Sequence, residues 1–264
     1  MSDSILNHIS QLLKQNPEHL TIIEDQIDLE VQLEYFNMSK TIKENEQVSL
    51  NELTTNCLTA PDASNSEIKK FLVYLASMDD VEAYRIIEKF YNEVKDDDLK
   101  IWCALALKES RMMLESNLLD EKQVLISTGM GGKNGKLRYF IVLISKNGEE
   151  FSQTQRKIIT NEFDFVLNNQ RSEIEKLDFD KSYAKLTSLI PLDVDIKNTI
   201  NKAVDECNTF GDFIHDNFIV TNVKTLSTTE IDDFLKKASD TDDDEDDDIF
   251  EDEATDIDIN DLLN

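Results

Sequence analysis

The chain has 264 residues, and 40% of them are hydrophobic, which is enough for one large domain or two modest domains with real cores. Its 55 acidic residues outnumber 27 basic ones, so the formal net charge is −28. Because phosphate backbones repel such a surface, nucleic acid is an unfavourable direct ligand. No apolar run approaches the roughly 18 residues of a membrane span, and the N-terminus lacks the pattern of a secretory signal. We therefore expect a cytoplasmic protein without membrane insertion.

The first 60 residues predict helices with indistinct boundaries. Pro17 is placed to open a helix. The apolar residues that follow it keep a helical spacing as far as Tyr35: Leu20, Ile23, Ile27, Val31 and Tyr35. Residues 40–47 are polar and predict a loop, and the turn-forming residues of 59–66 predict a second break.

Three clearer helices are predicted between residues 64 and 117. Ser64 and Glu67 match a capping box, and the stretches SMDD and KDDD separate one helix from the next. The middle helix carries an apolar face from Val81 to Val94. The third contains IWCALAL at residues 101–107, so we expect it to be covered on more than one side.

This alternation of amphipathic and apolar helices resembles a HEAT-like repeat. The resemblance covers roughly residues 64–117 and is carried by the stretch DDVEAYRIIEKFYNEVKDDDLKIWCALALKESRMMLES. HEAT-like modules act as scaffolds, so the resemblance implies a surface that grips a protein partner. We predict a helical, HEAT-like domain over residues 1–119.

After Asp120 the texture becomes rich in strands. Two hairpins, each followed by a helix, and then a strand and a helix give the order ββα-ββα-βα. The predicted strands are KQVLIST at 122–128, LRYFIVLIS at 137–145, SEIEKLDF at 172–179, YAKLTSLI at 183–190 and FIVTNVKTL at 218–226. Capping boxes at Ser152/Gln155 and Ser227/Glu230 start two of the helices. The prediction is an α+β domain over residues 120–238, with a mostly antiparallel sheet.

Four of the six glycines fall within ISTGMGGKNGKLRYF, residues 126–140. The spacing matches neither a P-loop nor a dinucleotide-binding fingerprint, and a strand follows where both need a helix. Asn134-Gly135 between two β-rich runs predicts a tight hairpin turn. The alternative is that backbone N–H groups and cations at this tip bind a ligand or partner. The candidate residues are Gly129, Gly131, Gly132, Lys133, Lys136 and Arg138.

No pattern of titratable residues predicts catalysis, a cofactor or a metal site. His8, His19 and His215 pair with no cysteine or serine in a known arrangement, and His215 lies in a predicted FIHDN turn. The three cysteines, Cys57, Cys103 and Cys207, are far apart and lack zinc spacing. We expect buried free thiols, and the sequence favours a protein that is not an enzyme.

The last 25 residues, from Asp240, hold 14 acidic residues and no Lys or Arg, which is half of the net charge. They cannot bury enough apolar surface to fold alone, so residues 239–264 are predicted to be a disordered acidic tail. Apolar residues interrupt and end this tail: Ile249, Phe250, Ile257, Ile259, Leu262 and Leu263. An acidic tether that ends in apolar residues is typical of a docking peptide, because charge speeds the encounter and apolar side chains then fill a groove. The alternative is a solubilising tail.

Three functional hypotheses follow. The first is an adaptor whose tail docks on or shields a basic protein partner, such as one within a large assembly. The second is a small-ligand or nucleotide-binding protein, possibly an enzyme, that uses residues 127–138; a pocket lined by Thr128, Lys133 and Arg138 would favour it. The third is autoinhibition, in which the tail folds back on Lys133, Lys136 and Arg138. The sequence gives neither the oligomeric state nor the partner.

Overall fold

The computed structural model describes residues 20–44, 63–119 and 124–240, and these form an α+β protein, as predicted. They divide into two compact units. The helical unit comprises residues 20–23, 27–44, 63–119 and 124–126, and the sheet unit comprises residues 24–26 and 127–240. Among the helices of these ranges, none is long and apolar enough to cross a lipid bilayer.

The helical unit contains two short strands and four helices. Strand β1 (Leu20–Ile22) pairs in parallel with β2 (Val124–Ile126). The helices are α1 (Leu29–Glu44), α2 (Asn65–Ala76), α3 (Val81–Glu93) and α4 (Asp97–Leu119). Helices α2, α3 and α4 pack pairwise on one another, and α1 packs on α2 and α4.

Acidic and hydroxyl side chains set the helix starts in this unit. Ser64 and Glu67 form the predicted capping box at α2. The Asp80 carboxylate accepts the Glu82 backbone N–H at 2.7 Å at the start of α3. These side chains satisfy N–H groups that have no partner within the helix, which explains why SMDD and KDDD separate helices.

The core of the helical unit surrounds Trp102, which is fully buried. Its indole Nε1 donates a hydrogen bond to the Lys69 carbonyl at 3.0 Å. The Tyr35 ring meets it edge-on, with 5.2 Å between centroids. Within the IWCALAL run, Trp102, Cys103, Leu105 and Ala106 are buried. Ile101 is exposed, so the run is enclosed over part of its circumference.

Three predictions in this unit are wrong. The helix expected from Leu20 is strand β1 followed by a loop, because Leu20–Ile22 finds a strand partner about 100 residues away. Ile23 and Ile27 are buried in the core, so their spacing signalled burial rather than a helix. The loop expected over residues 40–47 is helical as far as Glu44, because Ile42 packs against the core. Val81, expected on the buried face of α3, is exposed at the first turn.

The sheet unit is built around a long central strand, β4 (Lys136–Ser145). Along one edge β4 pairs with β6 (Tyr183–Pro191), which in turn pairs with β5 (Glu173–Asp180). Along the other edge it pairs first with β3 (Gly132–Lys133) and then with β7 (Ile214–Thr221). Every pairing in this sheet is antiparallel, as predicted.

Helices cover both faces of the sheet. Ile141 and Leu143 pack with α5 (Gln153–Asn169) and α6 (Ile196–Asn208). The alternate residues Phe140 and Val142 point to the opposite face, where Ile231 of α7 (Thr228–Asp240) is buried. This is the period-two alternation of a strand that is covered on both sides. Capping boxes at Ser152/Gln155 and Ser227/Glu230 are confirmed.

Two strand assignments need correction. Residues 122–128 do not supply the hairpin partner of β4, because Val124–Ile126 pairs with β1. The two-residue β3 takes that place, and it is too short to leave a periodic signal. The FIHDN segment is not a turn: β7 begins at Ile214, ends at Thr221 and includes His215. The β4–β7 register shifts beside this segment, which explains its turn-like composition.

Candidate functional site

The glycine-rich segment forms a tight hairpin between β3 and β4, as the sequence predicts. Lys133 pairs with Lys136, so Asn134 and Gly135 form a two-residue turn. Their φ angles are 52° and 74°, and positive values at both central positions define the turn that suits the twist of paired strands.

Close backbone approaches explain the glycines upstream of the turn. A Cβ atom at Gly129 would lie 2.0 Å from the Val223 carbonyl oxygen. A Cβ at Gly131, whose φ is +65°, would lie 2.4 Å from the Asp25 carbonyl oxygen. Gly129, Gly131 and Gly132 are all buried. These positions therefore require glycine for packing within the sheet unit, whether or not a ligand binds.

Backbone N–H groups of this segment are already engaged. The Met130 N–H donates to the Asn222 carbonyl at 2.9 Å, and the Gly131 N–H donates to the Thr128 carbonyl at 3.1 Å. The Thr128 hydroxyl donates to the Gly131 carbonyl at 3.2 Å. An anion-binding nest needs successive N–H groups that point outward, and at Met130 and Gly131 they point into the protein.

Arg138 is committed to Glu175 of β5. Its Nε and Nη2 donate to the two carboxylate oxygens at 2.5 and 3.0 Å, and Nη1 donates to the Met130 carbonyl at 2.7 Å. This hydrogen-bonded pair raises the pKa of Arg138 and lowers the pKa of Glu175. The guanidinium side chain is only 13% exposed, so little of it faces solvent.

The other two cations also face carboxylates. Lys136 forms an ion pair with Glu173, and the charge of Lys133 contributes to the lowered pKa of Glu175. Glu24 approaches the turn itself, where the Asn134 N–H lies 3.4 Å from its carboxylate. Three carboxylates thus accompany the three cations, and the tip of the hairpin carries no net positive charge.

Comparison with known proteins leaves the chain without a relative. No protein-family model matches it, and no curated protein is significantly similar to it in sequence.

The sheet unit has a surface cleft of about 480 Å³ away from the hairpin. It lies between the start of α5 and the end of α6, and none of the residues that line it belongs to segment 127–138. The lining residues are Lys146, Asn147, Ser152, Thr154, Gln155, Ile158, Phe210, Gly211, Asp212 and Phe213. Sequence reasoning missed this cleft. Its one readable signal was Phe210, an aromatic residue just beyond a helix end, which is 65% exposed.

The other predicted residues fall in two groups. Ile249, Phe250, Ile257, Ile259, Leu262 and Leu263 of the tail lie outside the described residues, as do His8, His19 and Cys57. Cys103 and Cys207 are buried free thiols, as predicted, and burial raises the pKa of each to about 12. Their reactive thiolate form is therefore scarce at neutral pH. Across the described ranges, no group of three or more His, Cys, Asp or Glu is placed to hold a metal ion.

A buried carboxylate in the helical unit was also missed. Glu109 of α4 accepts hydrogen bonds from the Tyr35 hydroxyl at 2.6 Å and the Ser39 hydroxyl at 2.5 Å, and the Lys43 ammonium lies 2.9 Å away. Burial, together with Glu109, raises the pKa of Tyr35 well above its usual value. The sequence does place Glu109 two helical turns after Trp102 on a buried face. Because three groups of α1 surround this carboxylate, it joins α1 to α4 and has no free side for a substrate.

Proposed function

We propose that this chain is a non-enzymatic cytoplasmic adaptor, and that its acidic tail docks on or shields a basic protein partner. The observation that carries the proposal is the charge distribution: 14 acidic residues and no Lys or Arg occupy the last 25 positions. Such a segment attracts cations over distances of about 10 Å, the screening length at moderate salt. The apolar residues among and after the acids supply the short-range contacts that a purely solubilising tail does not need.

The folded part supports an external partner rather than an internal one. The cations that an acidic segment of the same chain would seek, Lys136 and Arg138, are already paired with Glu173 and Glu175. The remainder of the chain before Asp240 is itself acidic, with 41 acidic residues against 27 basic ones. Repulsion therefore favours extension of the tail toward a basic surface on another molecule.

The same ion pairs weigh against the small-ligand alternative. A phosphate at the hairpin would have to displace Glu175 from a bidentate contact with Arg138 and Glu173 from Lys136. We therefore place the adaptor role first.

A pull-down from native lysate tests the proposal. Full-length protein is compared with a variant that ends at Ser239, at low and at moderate salt, and retained proteins are quantified by mass spectrometry. We expect a basic partner that the full-length protein retains and the truncated variant loses, with retention that weakens as salt increases.

A second variant separates charge from apolar contact. Leu262→Ser with Leu263→Ser keeps every acidic residue, so we expect it to keep the salt-sensitive encounter but to release the partner faster. If full-length and truncated proteins retained the same partners at both salt concentrations, the tail would be a solubility device and the proposal would fail.

A further inference from the structure

An exposed aromatic side chain stands at the mouth of the cleft between α5 and α6. Phe210, just after α6, is 65% exposed, although its neighbours in the cleft, Ile158 and Phe213, pack against the core of the sheet unit. The cleft therefore has an apolar floor and an exposed apolar rim. Aromatic residues in such positions are frequent anchors of protein interfaces, because they bury large areas when a partner covers them.

The charge around the cleft is acidic. The two segments that line it, residues 146–158 and 205–216, contain six acidic residues and three Lys or Arg. Two of these cations are paired locally: Lys146 contacts both carboxylate oxygens of Asp212, at 2.6 and 2.7 Å, and Arg156 lies 3.4 Å from Glu150. Asp216 also acts on Lys146, and hydrogen bonding to Asp212 is the main cause of the raised pKa of that lysine. Unpaired acidic groups therefore remain to attract a cation.

We propose that this cleft seats an apolar side chain from a basic segment of a protein partner, with Phe210 as the main contact and Asp212 on its acidic rim. The inference rests on the proposed function, since it takes the partner to be basic. It adds a contact surface on the folded part to the one assigned to the tail. The sign of the charge selects this occupant over a nucleic acid or an acidic peptide.

Selection from a random peptide library displayed on phage tests the inference without assuming a sequence. Full-length protein is the target, and the binding of enriched peptides is then measured by fluorescence polarisation. We expect enriched peptides to place Lys or Arg around an aromatic or aliphatic residue. Phe210→Ser should weaken their binding about tenfold or more, the size expected for an interface anchor. Asp212→Lys should weaken it as well.

Phe165 provides a matched control, because it is 64% exposed on α5 and does not line the cleft. Phe165→Ser should leave binding unchanged. Since both phenylalanines are exposed, both variants should keep the thermal unfolding midpoint of the wild type, which makes a folding defect easy to recognise.

The outcomes separate this inference from the tail hypothesis. Peptides that the tail holds would bind Phe210→Ser as well as wild type, and that result would overturn the cleft while leaving tail docking intact. Peptides that depend on Phe210 would support the cleft even if truncation at Ser239 left partner retention unchanged. The inference also fails if no peptides are enriched, if enriched peptides are acidic or neutral, if inorganic phosphate displaces them, or if Phe210→Ser abolishes self-association seen by sedimentation.

Discussion

At the scale of single residues, the least expected feature is the buried carboxylate of Glu109. Its side chain is 3% exposed, and it is surrounded by Tyr35, Ser39 and Lys43 of α1. A buried charge with a complete set of partners adds little net stability, but removal of one member leaves the others without partners. The cluster is therefore a sensitive point of the helical unit.

We expect Glu109→Ala to lower the free energy of unfolding of the helical unit by about 3 kcal/mol, because the Tyr35 and Ser39 hydroxyls lose their acceptor. Urea denaturation followed by the fluorescence of Trp102, the single tryptophan and fully buried in this core, measures the change. Glu88→Ala on the exposed surface of α3 is the control and should change stability by about 0.5 kcal/mol or less. Equal effects of the two substitutions would contradict the proposed role of the cluster.

At the scale of elements, the glycines of the hairpin divide into two classes. Gly129 and Gly131 sit against backbone oxygens of Val223 and Asp25, whereas Gly135 has nothing within 4 Å of an added Cβ. Backbone atoms held by hydrogen bonds move less readily than the end of a flexible side chain. The same chemical change should therefore have different effects along one segment.

We predict that Gly129→Ala and Gly131→Ala each destabilise the sheet unit by about 2–3 kcal/mol through steric overlap. Gly135→Ala should cost only about 1 kcal/mol, the penalty for a side chain at positive φ. Gly148, with φ +72° and open space around it, is the matched control and should behave like Gly135. Chemical denaturation followed by circular dichroism measures all four. A uniform loss across the series would mean that backbone conformation alone, rather than close approach, requires these glycines.

Local signals predicted these elements well, and long-range pairing escaped them. The capping boxes at Ser64, Ser152 and Ser227 and the Asn134-Gly135 turn depend on residues within a few positions of one another, so they can be read from the sequence. The pairing of β1 with β2 joins segments about 100 residues apart, and nothing local selects it. For the same reason the hairpin itself was predicted, but the carboxylates that neutralise it were not. Lys136 and Arg138 meet Glu173 and Glu175 across an intervening strand, β6.

At the scale of the whole molecule, function depends on where charge is free. The hairpin cations are paired within the sheet unit, and Asp240–Asn264 carries half of the net charge without a cation of its own. The sequence had suggested that one might bind the other. The ion pairs make that contact unfavourable, because a tail carboxylate would have to replace an existing glutamate at each cation.

We therefore predict that the acidic tail adds no salt-sensitive stability to the rest of the chain. The thermal unfolding midpoints of the full-length protein and of the variant ending at Ser239 should agree at low salt and shift together as salt is added. An internal contact between tail and cations would instead raise the midpoint of the full-length protein at low salt, and screening would remove the difference. Lys133→Glu tests the remaining possibility, since Lys133 is the exposed member of the three cations. If that substitution lowered the midpoint of the full-length protein but not of the truncated one, the tail would bind the hairpin after all, and autoinhibition would replace docking as the role of the tail.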